Sequence, residues 1–383
     1  MTLLTTLKLR PKTTISEHFS EIKDPRIERK KLHKLIDIIT ITLCAVITGA
    51  KSWLDIELFG QCKYNWLKSF LELPNGIPSH DTFNRVFTLL DPKQLEKCFE
   101  NWIKSIKSLL SSEQIAIDGK TLRHSYDKNS QQKAIVMVSA YSRERELVLA
   151  QRKVSKKSNE ITAVPELLKV LDLSEAIVTL DAMGCQTKIV NQIANQKADY
   201  LITLKKNQPR LYKRVEGLFQ LDLSQNNINF ESSKYSVFES SHGRTEQRCY
   251  HVLNNVSEIV DKQHNWSNLN SIVRVEYLRQ LKNGKTKLES RYFITSLSQE
   301  AQEIAGYIRG HWSIENQLHW VLDVTFSEDS SRIRKGNAPE NLAVIRHIAL
   351  NLLKQDKSSD SSIKGKRNKA AWDDDYRLQL IKN

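Results

Sequence analysis

Three acids in this chain have the types and settings to do chemistry together. Asp118 closes the apolar run of IAIDGKTLR, Asp181 closes that of IVTLDAMGC, and Glu315 lies within YIRGHWSIENQLHWVLDVTFSED. A carboxylate is expensive to bury unless something positive meets it. Two carboxylates from strand ends and one from a helix can hold hard divalent cations. Mg²⁺ takes oxygen ligands in octahedral geometry and keeps waters and substrate phosphates in its shell. Two ions roughly 4 Å apart can activate a nucleophile and stabilise the leaving oxygen of a phosphodiester. An isolated aspartate after a strand is more often a turn residue, and Asp323 is a rival fourth acid. Glu315 is harder to dismiss, because the inner stripe of a helix seldom carries an unpaired acid.

The elements that must position these acids are legible in the periodicity. Ile304, Ile308, His311, Leu318 and Leu322 recur at steps of three and four, which predicts one helix with Glu315 in the middle of its inward face. QIAID, AIVTLD and DYLITL read as buried strands, AIVMVSAY and ELVLAQRKV as a hairpin, SNEITAVPELLKVL and QTKIVNQIANQK as helices. The order β, β-hairpin, α, β, α, β predicts an α/β fold, a mixed sheet with helices on both faces. It puts Asp118 and Asp181 at strand ends, where open α/β sheets place their sites. Before this comes an all-α segment: a short helix at Ile15–Phe19, a long one from Arg26 to Gly49, and one capped by Ser79 with Phe83, Val86, Phe87 and Leu90 on one face. His80, Thr82, Asn84 and Arg85 near its start suit a DNA-reading helix, and equally any capped surface helix. Residues 214–297 read as a β-rich insertion with an Asn283–Gly284 hairpin turn. Its Arg244, Arg248, Arg274 and Arg279 either track phosphates or form a solvated face. Asn337, Pro339 and Glu340 open a buried helix. The N-terminal 14 residues form a loose basic arm. From Asp356 a Ser- and Lys-rich tail carrying KGKRNK is expected to be mobile, apart from a last helix near Trp372–Ile381. The expected segments are 1–110, 111–213, 214–297, 298–356 and 357–383.

The chain has 383 residues, a formal net charge of +14 and 40% apolar residues, with a pI near 9.4. That is enough apolar material for an ordinary core, and the basic excess points to a polyanion, most simply nucleic acid. No run approaches the roughly 18 apolar residues of a membrane span. The five scattered cysteines, without any CxxC, argue against a disulfide framework or zinc ribbon. A cytoplasmic, nucleoid-associated protein is expected.

IAIDGKTLR, LDAMGCQ, LITLKKNQ, HGRTEQR, RGHWSIENQLHWVLDVTFSED and RIRKGNAPENLAVIRHIALNLLK occur in one order, and through them the chain resembles the DDE insertion-sequence transposases, in particular the H-repeat-associated group. The resemblance runs from about Ile15 to Lys354. It implies an RNase H-like core with a β insertion before the last carboxylate, a helical N-terminal DNA-binding domain, and cut-and-paste DNA transfer with Mg²⁺, two ions, Mn²⁺ substituting. Asp118, Asp181 and Glu315 would be the catalytic and metal-binding triad, acting on terminal inverted repeats and target DNA as a homodimer. Related enzymes carry Tyr, Arg and Lys at Y-x2-R-x3-E-x6-K spacing, where this chain has Ile308, His311 and Leu322. His311, or Arg309 and Tyr307 nearby, would take the basic role. His311 and His319 are candidate phosphate contacts, proton carriers or metal ligands, and equally packed histidines. Lys120, Arg123, Lys205, Lys206 and Asn207 follow strand ends and are expected backbone contacts to DNA. Trp312 could stack on a displaced base, Trp320 belongs in the core, and Glu328, Asp329, Arg332 and Arg334 are expected to form an ion-pair cluster. Two other readings remain: a DNA-binding relic or repressor that no longer transposes, and a plain metal-dependent nuclease.

Overall fold

The computed structural model describes residues 15–106, 113–126, 133–155, 159–224, 231–241, 244–261, 265–280 and 286–382. Residues 15–106 supply six helices: α1 (Ile15–Phe19), α2 (Leu35–Thr48), α3 (Trp53–Cys62), α4 (Tyr64–Lys68), α5 (His80–Leu89) and α6 (Pro92–Ile106). The long helix predicted from Arg26 begins only at Leu35. The basic stretch before it has no apolar face, and Arg26 is taken up by Asp24 and by the carbonyl of His33. The N-terminal arm lies outside the described residues. α5 buries Phe83, Val86 and Phe87 as the periodicity requires. Its cap comes from elsewhere, however: the Glu57 carboxylate accepts from the His80 N–H at 2.8 Å, while the Ser79 side chain makes no capping bond.

Strands β1 (Gln114–Leu122), β2 (Ile135–Ser142) and β3 (Leu147–Lys153) form an antiparallel meander. Helix α7 (Glu160–Val170) leads to β4 (Ile177–Leu180), which pairs parallel with β1. Helix α8 (Thr187–Asn195) leads to β5 (Asp199–Leu204), parallel to β4. The order β3-β2-β1-β4-β5 is the RNase H-like arrangement. The β-rich segment opens with a helix, α9 (Pro209–Ser224), and then gives β6 (Ser232–Ser241), β7 (Arg244–Leu253), the short α10 (Ser257–Val260), β8 (Ser271–Gln280) and β9 (Thr286–Thr295). These strands do not form a separate layer. β9 pairs antiparallel with β5, so one sheet of nine strands runs β3-β2-β1-β4-β5-β9-β8-β7-β6. The Asn283–Gly284 turn lies outside the described residues. Arg248 and Arg274 are buried rather than solvated. Arg248 pairs with Glu239 and Glu246, and Arg274 lies over the Phe219 ring.

Helix α11 (Ala301–His311) packs across β1, β4, β6 and β7, burying Ala301, Ile304, Ala305 and Ile308. It continues through Glu315–His319 into α12 (Trp320–Val324). Helix α13 (Ala338–Gln355) is buried on nearly every side. The last helix expected near Trp372–Ile381 is α15 (Asp374–Lys382), but the stretch before it, expected to be mobile, forms α14 (Ile363–Trp372). Its basic residues are structural. Arg367 donates to the carbonyls of Val46 and Ile47 in the last turn of α2, at 2.8 and 3.1 Å. Lys366 donates to the Leu353 carbonyl near the end of α13. Both place positive charge where helix C-termini are negative. Among the described residues no single helix is long and apolar enough to cross a membrane; the apolar pair α2 and α3 is bent by 96°.

Candidate active site

The parallel pairing of β1 with β4 ends at Ile117 opposite Leu180. Asp118 and Asp181 are the next residue on each strand, so adjacent strands, about 4.8 Å apart, bring two carboxylates side by side. Asp118 is not a strand terminus as expected: β1 runs on through Gly119 to Leu122, paired with β2. Asp181 leaves its strand at once. Its Oδ1 accepts from the N–H groups of Met183 and Gly184, at 2.9 and 3.4 Å, and fixes the turn that follows. Asn207 ties the end of β5 to the same turn, donating to the Ala182 carbonyl at 2.7 Å. That gives it a structural role at an exposed position.

The helical path at Glu315 departs from the regular 3.6-residue pattern. The Trp320 N–H donates to the Glu315 carbonyl five residues back, a π-helical turn over Glu315–His319; such turns are frequent at functional sites. Glu315 is exposed and faces an open cleft. His319, buried, places Nδ1 at 3.1 Å from Glu315 Oε2 and 3.6 Å from Asp118 Oδ2. One ligand atom from each of Asp118, Glu315 and His319 lies within 4.8 Å of the others. The hydrogen bond from His319 holds the Glu315 carboxyl below its usual range. Asp118 is pushed up by burial and by the charges of Asp181 and Glu315, against the pull of His319. His319 Nε2 is buried without a partner among the described residues. Two carboxylates and an imidazole brought this close are a donor set that fits a divalent cation.

A cleft of about 780 Å³ opens from these acids toward the β-rich part of the sheet. Lys205, Lys206 and Trp312 line it with Asp118, Asp181 and Glu315. Tyr277 and Arg291 complete its far wall, with the guanidinium 4.8 Å from the Tyr277 ring centre. Arg291 was not singled out from the sequence, where no spacing links it to the acids; only the β5–β9 pairing brings it near. His311 also lines the cleft, with Nδ1 3.0 Å from Thr179 Oγ1. Burial lowers its pKa to about 4, so near neutral pH the imidazole is uncharged and is not the cation that replaces the missing arginine.

Lys120 is sequestered. Its ammonium contacts Asp323 at 2.7 Å and Glu328 and Asp329 at 3.1 Å each, which removes it from the expected set of phosphate contacts. Arg123 pairs with Asp329 at 3.1 Å from an exposed position, and Arg346 lies 3.5 Å from Glu328. This network replaces the expected cluster of Glu328 and Asp329 with Arg332 and Arg334; Arg334 instead donates to the His124 carbonyl and stacks over Tyr126. It also gives Asp323 a partner outside the site. Arg309 lies 3.5 Å from Glu239 and is half exposed. The Arg244 side chain lies outside the described residues. Trp312 is 47% and Trp320 57% exposed, so Trp320 is not core. It stands two residues from both Leu318 and Leu322, roughly 200° around the helix from that buried stripe.

Residues 110–352 match the family described as "Transposase DDE domain", and residues 16–103 match the one described as "DDE_Tnp_1-associated". The "H repeat-associated putative transposase YhhI" of Escherichia coli K12 is 44% identical over 371 residues, covering 96% of this chain and 97% of the relative. The "H repeat-associated putative transposase YbfD" of the same strain is 45% identical over 247 residues, 64% of this chain and 96% of the relative. Among solved structures, the piggyBac transposase synaptic complex with hairpin DNA aligns over 96% of this chain and 77% of its own, at 13% identity and a TM-score of 0.46. By its sequence over most of its length, this chain belongs to the DDE transposase family, in the company of the H repeat-associated proteins.

Proposed function

We propose that the protein is an active transposase that cuts the ends of an insertion sequence in double-stranded DNA and joins them to a target. The observation that carries this reading is the convergence of Asp118, Glu315 and His319, with Asp181 on the adjoining strand. Asp118, Asp181 and Glu315 would hold two Mg²⁺ ions, or Mn²⁺ in their place. Bound there, such ions supply an activated attacking hydroxyl and stabilise the leaving oxygen of the phosphodiester. The chain's own groups do the rest. The N–H groups of Met183 and Gly184 both bond Asp181 Oδ1 and hold the carboxylate, which lines the cleft. His319 orients Glu315 across the π-helical turn. Lys205 and Lys206 at the cleft wall, together with Arg123, Arg244 and Arg309, contact DNA backbone and position it without reading sequence. Trp312 offers a ring to an unpaired base. Neutral His311 is a hydrogen-bonding group in the cleft rather than a phosphate clamp.

Recognition of the terminal inverted repeats is assigned to residues 1–110, with the helix after Ser79 as reader. Chemistry is assigned to 111–213 and 298–356, and the β-rich 214–297 walls the cleft. The protein works as a homodimer on the nucleoid. The test is incubation of the full chain with the DNA flanking its gene and Mg²⁺, with cut positions mapped. Cuts at the repeat boundaries followed by joined products support a transposase. Scattered cuts make it a nuclease, and binding without cuts makes it a repressor.

A further inference from the structure

Gly119 follows Asp118 in the middle of β1, where a glycine weakens a strand and calls for a reason. The reason is not backbone freedom: Gly119 is absent from the glycines with positive φ, which are Gly49, Gly76 and Gly336. The reason is space. A Cβ at position 119 would lie 2.3 Å from Glu160 Oε1 and 2.5 Å from its Cδ. The carboxylate of Glu160 therefore occupies the volume that any other residue's side chain would fill.

We propose that Glu160 is a fourth carboxylate of the metal site, reaching it through the gap left by Gly119. The inference rests on the reading of Asp118, Asp181 and Glu315 as metal ligands and adds a residue to it. Glu160 is the first residue of α7, and α7 packs on the turn that follows Asp181 as well as on β2 and β3. Adjacent strand residues point to opposite faces, so Glu160 approaches on the Gly119 face while Glu315 and His319 meet the Asp118 carboxylate on the other.

A glutamate in the first turn of a helix is commonly there for the helix dipole. That role does not require a half-buried carboxylate pressed on a neighbouring strand beside two other acids. Asp181 and Asp118 are the charges acting on Glu160, adding to burial in raising its pKa, and among the described residues only His319 opposes them. Lys120, the nearby lysine, is already committed to Asp323, Glu328 and Asp329. Nδ1 of the buried His319, 3.6 Å from Asp118 Oδ2, is a further donor atom turned toward these acids. Four carboxylates around one imidazole are a donor set that two divalent cations would suit.

The experiment measures Mn²⁺ binding by electron paramagnetic resonance and thermal unfolding with and without Mn²⁺, on the full chain. Wild type, Glu160→Gln, Gly119→Ala, the double Gly119→Ala/Glu160→Ala and Asp118→Asn are compared. Loss of an outer-shell partner typically costs 10–100-fold in metal affinity, so loss of a direct ligand should cost at least about tenfold for one ion. Glu160→Gln should show that loss together with a higher melting temperature in the absence of metal, because a repelling charge is gone. A dipole-stabilising glutamate would give the opposite sign. Gly119→Ala should lose the ion with all four acids intact, and the double variant should fold, because its clash is removed. Unchanged Mn²⁺ binding in Glu160→Gln, with binding lost in Asp118→Asn, overturns the assignment of Glu160 alone. Absence of Mn²⁺ binding by wild type overturns the metal-site reading beneath it.

Discussion

Lys120→Met separates two roles for one lysine. The sequence makes Lys120 a phosphate contact beside the acids; the structure gives it three carboxylates. Methionine keeps much of the stem's volume and removes the charge. The lysine side chain is 10% exposed and that of Glu328 only 2%. Removing one partner of a buried pair costs about 3–5 kcal/mol, because a charge stays behind unpaired. Arg346 remains near Glu328 and Arg123 near Asp329, so the lower end, about 3 kcal/mol, is expected. At about 2.1 cal/mol/K per residue the unfolding entropy of the 383 residues is about 0.8 kcal/mol/K, and the melting temperature should drop by about 4 °C. The pH dependence has a definite sign. Against the opposing effect of burial, the three acids hold the Lys120 pKa above its ordinary value, so its contribution is complete below that ordinary value and lost only as pH rises through the higher folded pKa. In the variant the unpaired acids carry raised folded pKa values, so their penalty disappears as they protonate. The gap to wild type should therefore close toward pH 4. The assays are calorimetry from pH 4 to 8 and DNA affinity against salt. A melting temperature unchanged within a degree, with weaker DNA binding and a shallower salt slope, would refute the sequestered lysine and restore the phosphate contact.

Other expectations follow from the site. Asp118→Asn, Asp181→Asn and Glu315→Gln should each abolish strand cleavage while leaving DNA binding largely intact; cleavage near the wild-type rate removes that residue from the triad, and Asp323→Asn should retain most activity. Asp118→Asn should also raise the melting temperature of the metal-free protein at pH 7. The folded Asp118 pKa is raised, so the wild-type penalty is present above that pKa and gone below the unfolded value of 3.8; the advantage of the variant should shrink to nothing near pH 4. DNA affinity should fall on the order of 10³-fold between 50 and 200 mM salt, and a flat response would remove the basic surface as the DNA-binding face. With the His311 pKa near 4, wild type and His311→Gln should give cleavage profiles of the same shape from pH 6 to 9; a limb present only in wild type would return His311 to the role of cation.

What could be read in advance depended on whether a residue's partner was local. The strands around Asp118 and Asp181 follow from apolar runs, but their adjacency does not follow from chain order, because β2, β3 and α7 intervene before β4 returns to pair with β1. Buried Ile304, Ile308, Leu318 and Leu322 follow from helical spacing. The π-helical turn has no signature in that spacing, so the exposure of Glu315 was missed. Charges were misread wherever their partner was distant. Lys120 and Asp329 are 209 residues apart, and KGKRNK looked like a solvated tail because its acceptors are backbone carbonyls, which sequence does not distinguish. Glu160 was not singled out within SNEITAVPELLKVL, because its relation to Gly119 exists only through the packing of α7 on the sheet.

The bond from Arg367 to Val46 spans 321 residues, and that span sets an order of events during synthesis. Chains emerge at roughly 5–20 residues per second, so α2 waits on the order of tens of seconds for the side chain that completes its C-terminal turn. Until then the helical layer containing α5 lacks α14 beneath it. Arg377, fully buried under the Trp66 ring, is later still. A nascent or truncated chain should therefore have an unfinished N-terminal layer, and the element proposed to read DNA would become rigid only after the catalytic core has been made. Pulse-proteolysis of ribosome-bound chains stalled before and after residue 377 would time that closure.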